Sequence, residues 1–437
     1  MLLYETVDRS LASNETELTR RDCLSLLAAG TIGGTLPAAA IAKQPDADVP
    51  PKSVAAVITA YAKGLHADVL IGKILEGWKQ DGGRGPALKL AGMYVEQFPA
   101  GDLARPMSRK YNVPLFDTIE KAVTTGGDAI TVDGVISIGE HGSYPTNDLG
   151  QHLYPRRRFF EEITEAFEKY GRVVPVFSDK HLGPVWDDAK WMYDRAREMQ
   201  VPFMAGSSLP VSFRKPDIDI PMNCDIEAAV GVGYSGYDIY GSHTLDCFQS
   251  LVERRRGGGV GVEWVQCLQG PAMWRAVDDG TVNKEVLDAA LDVTPKQQHP
   301  KLRESESAAL FLFEYTDGFR GAVFMLPQYV GGISAAVKLK GQNDVLATNF
   351  EERLEPRHPH FAYLLKGIER MVHTGQTSYP VERTLLAGGI LDRALTSRAQ
   401  NHSRLMTPEL KITYQPVDYP HAPHIDLHAH PTAALRG

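Results

Sequence analysis

The string Gly139-Glu140-His141-Gly142 closes the apolar run "AITVDGVISI" and sets a carboxylate beside an imidazole. If that run is a parallel strand, both side chains stand at its carboxyl end, where open α/β sheets bind their ligands. A carboxylate next to an imidazole can trade protons with a substrate or ligate a metal. Tyr144, Asn147 and His152 follow in an insertion-like loop and add hydrogen-bonding capacity. The second place of interest is a strand-to-helix turn, Thr59-Ala60-Tyr61-Ala62-Lys63-Gly64-Leu65-His66. A dinucleotide-binding turn carries three glycines there, so that backbone amides reach the pyrophosphate unobstructed. This turn has one, Gly64. Thr59, Ala60 and Tyr61 would line the pyrophosphate path, with Lys63 or a hydroxyl standing in for the lost amide contacts.

The elements needed to position these groups are legible. Residues 54–60, "VAAVITA", form an unbroken apolar run of the buried-strand type. Helical spacing follows from His66 to Trp78, then strand "LKLAGMYVEQ", a helix in "DLARPMSRKYNV" interrupted by Pro106, and a helix in "FDTIEKAVTTGG". After "AITVDGVISI" come an amphipathic helix in "YPRRRFFEEITEAFEKYG", strand "VVPVFSD", helix "WDDAKWMYDRAREMQ" and strand "VPFMAGSS". Strands alternating with helices predict a Rossmann-like, doubly wound parallel sheet over residues 53–208. Beyond Pro210 the texture changes to "GGVGVEWVQCLQG", "SAALFLFEYTDG", "RGAVFMLPQ" and "ISAAVKLKG", with long helices returning after residue 358. This predicts an α+β domain with an open, mostly antiparallel sheet over 209–410, and an irregular Pro- and His-rich tail over 411–437. The tail histidines, among them His421 and His424, are read as a polar tail, a zinc site or a cap on a neighbouring subunit; no metal ligands are assigned. Arg156-Arg157-Arg158 are contiguous on a helix and cannot share a face, which leaves a solvated edge or contacts with acids.

A chain of 437 residues with a net charge of −8 has room for two cores and offers neither a nucleic-acid surface nor an anionic-membrane surface. Arg20-Arg21, the charge-free stretch "LSLLAAGTIGGTLPAAAIA" and the small-residue end Ala40-Ile41-Ala42 read as a twin-arginine signal peptide over 1–42, followed by a linker over 43–52. The expectation is export to the periplasm by the twin-arginine machinery. Cys23 would leave with the signal, and Cys224, Cys247 and Cys267 remain as structural thiols.

Several strings, in this order, resemble the Gfo/Idh/MocA family of sugar and polyol oxidoreductases. "VPVFSDKHLGPVWDDAKWMYDRAREMQVPFMAGSS" is similar to the family's strand ending in Glu-Lys-Pro, its helix and a V-P-x-x-x-G strand, with Asp179-Lys180-His181 at the Glu-Lys-Pro position. "GSHTLD" resembles the G-x-H-x-x-D helix of the substrate domain, and "FAYLLKGIERMVHTGQTSYPVERTLLAGGILDRAL" the closing helix pair. The resemblance implies a homo-oligomeric enzyme that moves hydride between a carbohydrate carbon and NAD. It implies that Lys180 and His243 take up and return the hydroxyl proton, with Lys180 also facing the nicotinamide. Asp179 would orient Lys180 or cap the helix. An Asp four residues before the histidine is usual in the family; here Ile239 holds that place and Asp238 is out of step. Glu96, at the end of its strand, stands where an acid binds the adenosine ribose and favours NAD, or is a surface acid. The thinned glycine turn keeps two alternatives open: a redox-silent lyase or hydrolase of 3-keto sugars using Glu140, His141, Lys180 and His243, or a non-catalytic carbohydrate-binding protein.

Overall fold

The structure, a computed structural model, describes residues 49–297 and 302–423, which fall within one compact unit. The signal-peptide reading and the tail beyond residue 423 lie outside the described residues.

The first sheet joins six strands: β1 (Lys52–Ala60), β2 (Leu88–Gln97), β3 (Leu115–Phe116), β4 (Gly134–Ile138), β5 (Val176–Asp179) and β6 (Phe203–Gly206). All pairings are parallel, in the order β3-β2-β1-β4-β5-β6. This is the doubly wound order with its switch point between β1 and β4, where chain connections run away on both sides and open a crevice. Residues 54–60 of β1 are at most 1% exposed, as a central strand covered on both faces requires. The crossovers are α1 (His66–Glu76), α2 (Ala104–Tyr111), α3 (Ile119–Thr124), α4 (Arg156–Tyr170) and α5 (Trp186–Glu198). On α4, Phe159, Phe160, Ile163 and Phe167 recur at helical spacing and are buried. Pro106 does not interrupt its helix. It is the third residue of α2, inside the first turn, where the missing N–H would have had no helical acceptor.

The second sheet is larger. Its strands are β7 (Phe213–Lys215), β8 (Ile226–Gly233), β9 (Val262–Gln269), β10 (Ala309–Tyr315), β11 (Arg320–Met325), β12 (Ile333–Leu339), β13 (Val345–Glu351) and β14 (Leu405–Met406). The order is β14-β9-β10-β11-β8-β12-β13-β7, antiparallel except for the β8–β11 pair. Helices α6 (Ile239–Val252) and α10 (Val381–Ala399) cover one face, and α7 (Gly270–Asp278) and α8 (Lys284–Val293) cover the other. Strand β10 shows why: Phe311 and Phe313 join the cluster under α6 and α10, while Leu310 and Leu312 join the one under α7 and α8. α6 lies so close to β8 that a Cβ on Gly233 would meet Thr244 Oγ1 at 2.1 Å, so that position admits only glycine. Helix α9 (His360–Thr374) returns to the first sheet and packs on α1. Cys224, Cys247 and Cys267 are free thiols.

Candidate functional site

Strands β4 and β5 of the first sheet end at the crevice with side chains that can do chemistry. β4 delivers Glu140, whose side chain is 2% exposed and accepts from Lys180 Nζ at 2.8 Å and from the Arg156 guanidinium. Burial would push this carboxyl up; the charges of Lys180 and Arg156 outweigh it and hold the group well below the usual carboxylate range. Glu140 is therefore an ionised buried anion between two buried cations. The expected acid–base pair of Glu140 with His141 is not formed. His141 adopts a left-handed backbone conformation (φ 67°), and its Nε2 is buried without a partner. Burial, reinforced by the neighbouring His66, pushes His141 down to about 3. Among the described residues no group of three or more His, Cys, Asp or Glu side chains could hold a metal ion.

β5 delivers Asp179 and Lys180. Lys180, also left-handed (φ 64°), is anchored by its N–H to Gly206 O at 3.3 Å, which turns its ammonium back toward Glu140. Asp179 does not orient Lys180. Its buried carboxylate, 1% exposed, binds Nδ1 of His66 at 2.6 Å, tying the start of α1 to the end of β5. His66 is the first residue of α1.

α6 brings His243 and Asp246, three residues apart and so on one face. His243 Nδ1 lies 2.6 Å from Ser207 Oγ, and the Ser207 N–H donates to Asp246 Oδ2 at 2.8 Å. Burial first, then the Lys180 charge, pushes His243 well below its ordinary value. Burial pushes Asp246 up to about 6, and its Oδ1 has no partner. The void framed by Lys180, Ser207, Ser242, Asp246 and Thr384 is about 10 Å³, room for roughly one water molecule. It is not sugar-sized. Asp238 faces away from His243, as its register requires. It starts α6 and accepts from the His152 N–H at 3.0 Å.

The dinucleotide positions are half kept. Thr59, Ala60 and Tyr61 are at most 1% exposed, and the Thr59 hydroxyl is spent on the carbonyls of Ile138 and Glu140. Tyr61 is core, with its hydroxyl buried and unpartnered. None of the three presents a side chain to a pyrophosphate. The Gly64 N–H donates to the Asp68 carboxylate at 2.9 Å, so the turn's one glycine amide is already engaged by an anion. Lys63 stays exposed beside it. Glu96 does stand at the end of β2, held by Tyr144 at 2.6 Å and by Arg158. The three arginines thus take four acids: Arg156 binds Glu140, Arg157 binds Asp188, and Arg158 binds Glu96 and Glu162.

No family model matches the sequence, and no curated protein is similar enough to match. Solved structures do match in shape. GenD2 from gentamicin A biosynthesis, determined in complex with NAD, is 12% identical over 82% of this chain and 97% of its own, with a TM-score of 0.52. Apo scyllo-inositol dehydrogenase from Lactobacillus casei is 10% identical over 82% and 98%, with a TM-score of 0.52. The same enzyme with NAD(H) and scyllo-inositol is 11% identical over 82% and 99%, with a TM-score of 0.50. The chain has the two-part fold of these dehydrogenases: a six-stranded parallel sheet followed by a mostly antiparallel one. That is the architecture the Gfo/Idh/MocA resemblance implies.

Proposed function

We propose that the chain is an exported oxidoreductase of the Gfo/Idh/MocA type that acts on a hydroxyl or ketone of a sugar or cyclitol, with NAD as the hydride carrier. One observation carries the reading: Lys180, paired with Glu140, and Ser207, which holds His243 at 2.6 Å, line one small void at the carboxyl ends of β5 and β6. The printed ligands of the shape neighbours, NAD(H) and scyllo-inositol, support the same substrate and cofactor class. The unpartnered buried His141 Nε2 also suits a crevice built to receive a polar ligand.

The residues keep part of an NAD site: Lys180 remains at the crevice end, while the phosphate end has its glycine amide engaged by Asp68. Glu96 would hold the adenosine ribose, Lys63 the pyrophosphate in place of glycine amides, and Lys180 would border the nicotinamide. When bound, NAD supplies the acceptor for a hydride from the carbinol carbon. The chain's own groups do the remainder. The Lys180 ammonium stabilises negative charge that develops on the reacting oxygen. His243, uncharged at neutral pH and with Nδ1 engaged by Ser207, keeps Nε2 for a hydrogen bond that orients a substrate hydroxyl.

The test is to purify the protein from the compartment its host exports it to, denature it, and measure nicotinamide dinucleotide in the released fraction. Bound NAD, or calorimetric binding of added NAD with oxidation of scyllo-inositol or another cyclitol, is the expected result. No dinucleotide on the exported protein and no binding on addition overturns the reading. Export is tested separately: replacing Arg20 and Arg21 by lysine is expected to leave the protein in the cytoplasm.

A further inference from the structure

Many histidines converge on the crevice, and burial removes most of them as proton carriers. His141, His181 and His360 are each pushed down to about 3, and His243 well below its ordinary value, with burial the largest cause in every case. Near neutral pH these rings accept or donate hydrogen bonds but do not hold an extra proton. Lys180 is committed to the Glu140 carboxylate.

His66 differs from all of them. Among the described residues it is the one crevice histidine hydrogen-bonded to a carboxylate, Asp179 Oδ2 at 2.6 Å. Asp179 is 1% exposed while His66 is 14% exposed, so the pair has a buried anchor and a working end that reaches the opening. With Nδ1 held, Nε2 is left for the crevice. Its position at the start of α1 makes the carboxylate more telling. A helix N-terminus disfavours a cation, and a buried anion opposite it offsets that penalty.

The surroundings place His66 at the centre of the site. Its ring stands edge-on to His141 at 5.0 Å and to Phe361 at 4.8 Å. Titratable side chains surround it on the neighbouring elements: Glu140 and His141 after β4, His243 from α6, Glu352 after β13, His358 before α9 and His360 at its start. Asp179 and Lys180 face it from the end of β5.

We propose that His66 is the acid–base residue of this crevice and that Asp179 is its positioning residue. The inference rests on the proposed oxidoreductase reading. On oxidation, the substrate O–H bond breaks and its proton passes to His66 Nε2, while the C–H electron pair leaves as hydride to an oxidised nicotinamide dinucleotide and the C–O bond becomes a carbonyl. Reduction runs the same transfers backwards. The carboxylate of Asp179 fixes the ring's tautomer and supports the imidazolium that forms.

Two measurements test this. In histidine-labelled protein followed by NMR at neutral pH, His66 is expected to show a single tautomer with Nδ1 fixed toward Asp179, while His141, His181 and His360 remain neutral above about pH 5. Asp179→Asn should alter the His66 tautomer signal. In turnover with scyllo-inositol and NAD, His66→Asn should lower kcat about 100-fold or more while KM changes little, with partial rescue by added imidazole. A His66 tautomer signal indifferent to Asp179→Asn, or turnover kept within about threefold in His66→Asn, overturns the proposal. The NMR arm reads out without any activity, so absence of NAD binding would remove the proposed function and still leave the His66–Asp179 pair to be judged.

Discussion

Replacing Glu140 by glutamine removes one negative charge from between two cations that water scarcely reaches. The Lys180, Glu140 and Arg156 side chains are 5%, 2% and 1% exposed, and the Lys180 contact is 2.8 Å long. Unit charges about 4 Å apart attract by about 4 kcal/mol at an effective dielectric of about 20, and Glu140 has two such partners. The desolvation of three charges consumes much of that, so the intact cluster adds far less than the sum. Breaking it is a different matter: two like charges are left buried together, which costs about 3–5 kcal/mol. Glutamine keeps the shape and one carbonyl acceptor, so the loss reports charge rather than volume. Urea unfolding of wild type and Glu140→Gln at neutral pH is the assay, with Lys180→Met and the double variant completing a cycle. Lys180→Met alone should cost less, because Glu140 keeps Arg156, and the double variant should recover about 1–3 kcal/mol relative to additivity. The pH dependence follows from the sign of the shift. A carboxyl held below its ordinary value contributes fully above the unfolded-state value of about 4.3, and loses that contribution as pH falls from there through the folded value. Wild type and Glu140→Gln should therefore converge in acid and differ most near neutrality. A cost under about 1 kcal/mol at neutral pH, or strict additivity in the cycle, would refute the account of Glu140 as an ionised anchor.

Three other outcomes are expected. Lys63→Glu should weaken NAD binding by about tenfold and Asp68→Asn should strengthen it by about threefold or more, since both charges border the turn where a pyrophosphate would lie; calorimetric titration reads both, and equal affinities dismiss the turn as the phosphate site. Glu96→Ser should move cofactor preference toward the 2′-phosphorylated dinucleotide, because Arg158 loses one of its two carboxylates, keeps Glu162, and gains capacity for a phosphate; an unchanged ratio of dissociation constants counts against an adenosine site at the end of β2. Gly206→Ala should destabilise by about 1–3 kcal/mol in urea, since its φ of 142° is glycine territory and a Cβ would sit 3.0 Å from Thr384 Oγ1 and 3.2 Å from Asp246 Oδ2.

The fold was legible because it rests on periodicity. "VAAVITA" is fully buried as β1, and "YPRRRFFEEITEAFEKYG" is α4, because a central parallel strand and an amphipathic helix each repeat their buried positions at a fixed interval. Short edge strands such as β7 and β14 have too few residues to show a period. The site was legible only in its inventory. Lys180, Glu140 and His243 do reach one crevice, yet their partners are set by sequence separations that no local pattern encodes: 40 residues for Lys180 with Glu140, 36 for His243 with Ser207 and 113 for His66 with Asp179. The backbone supplied the missing information. Left-handed conformations at His141 and Lys180 turn those side chains away from their sequence neighbours, so the carboxylate beside an imidazole in "GEHG" pairs with a lysine from the next strand instead. Adjacent residues at a strand end diverge, and residues at the ends of neighbouring strands converge. A carboxylate and a histidine that act together in such a sheet are therefore best sought at the same level of different strands, and the pair that obeys this here is Asp179 of β5 with His66 after β1.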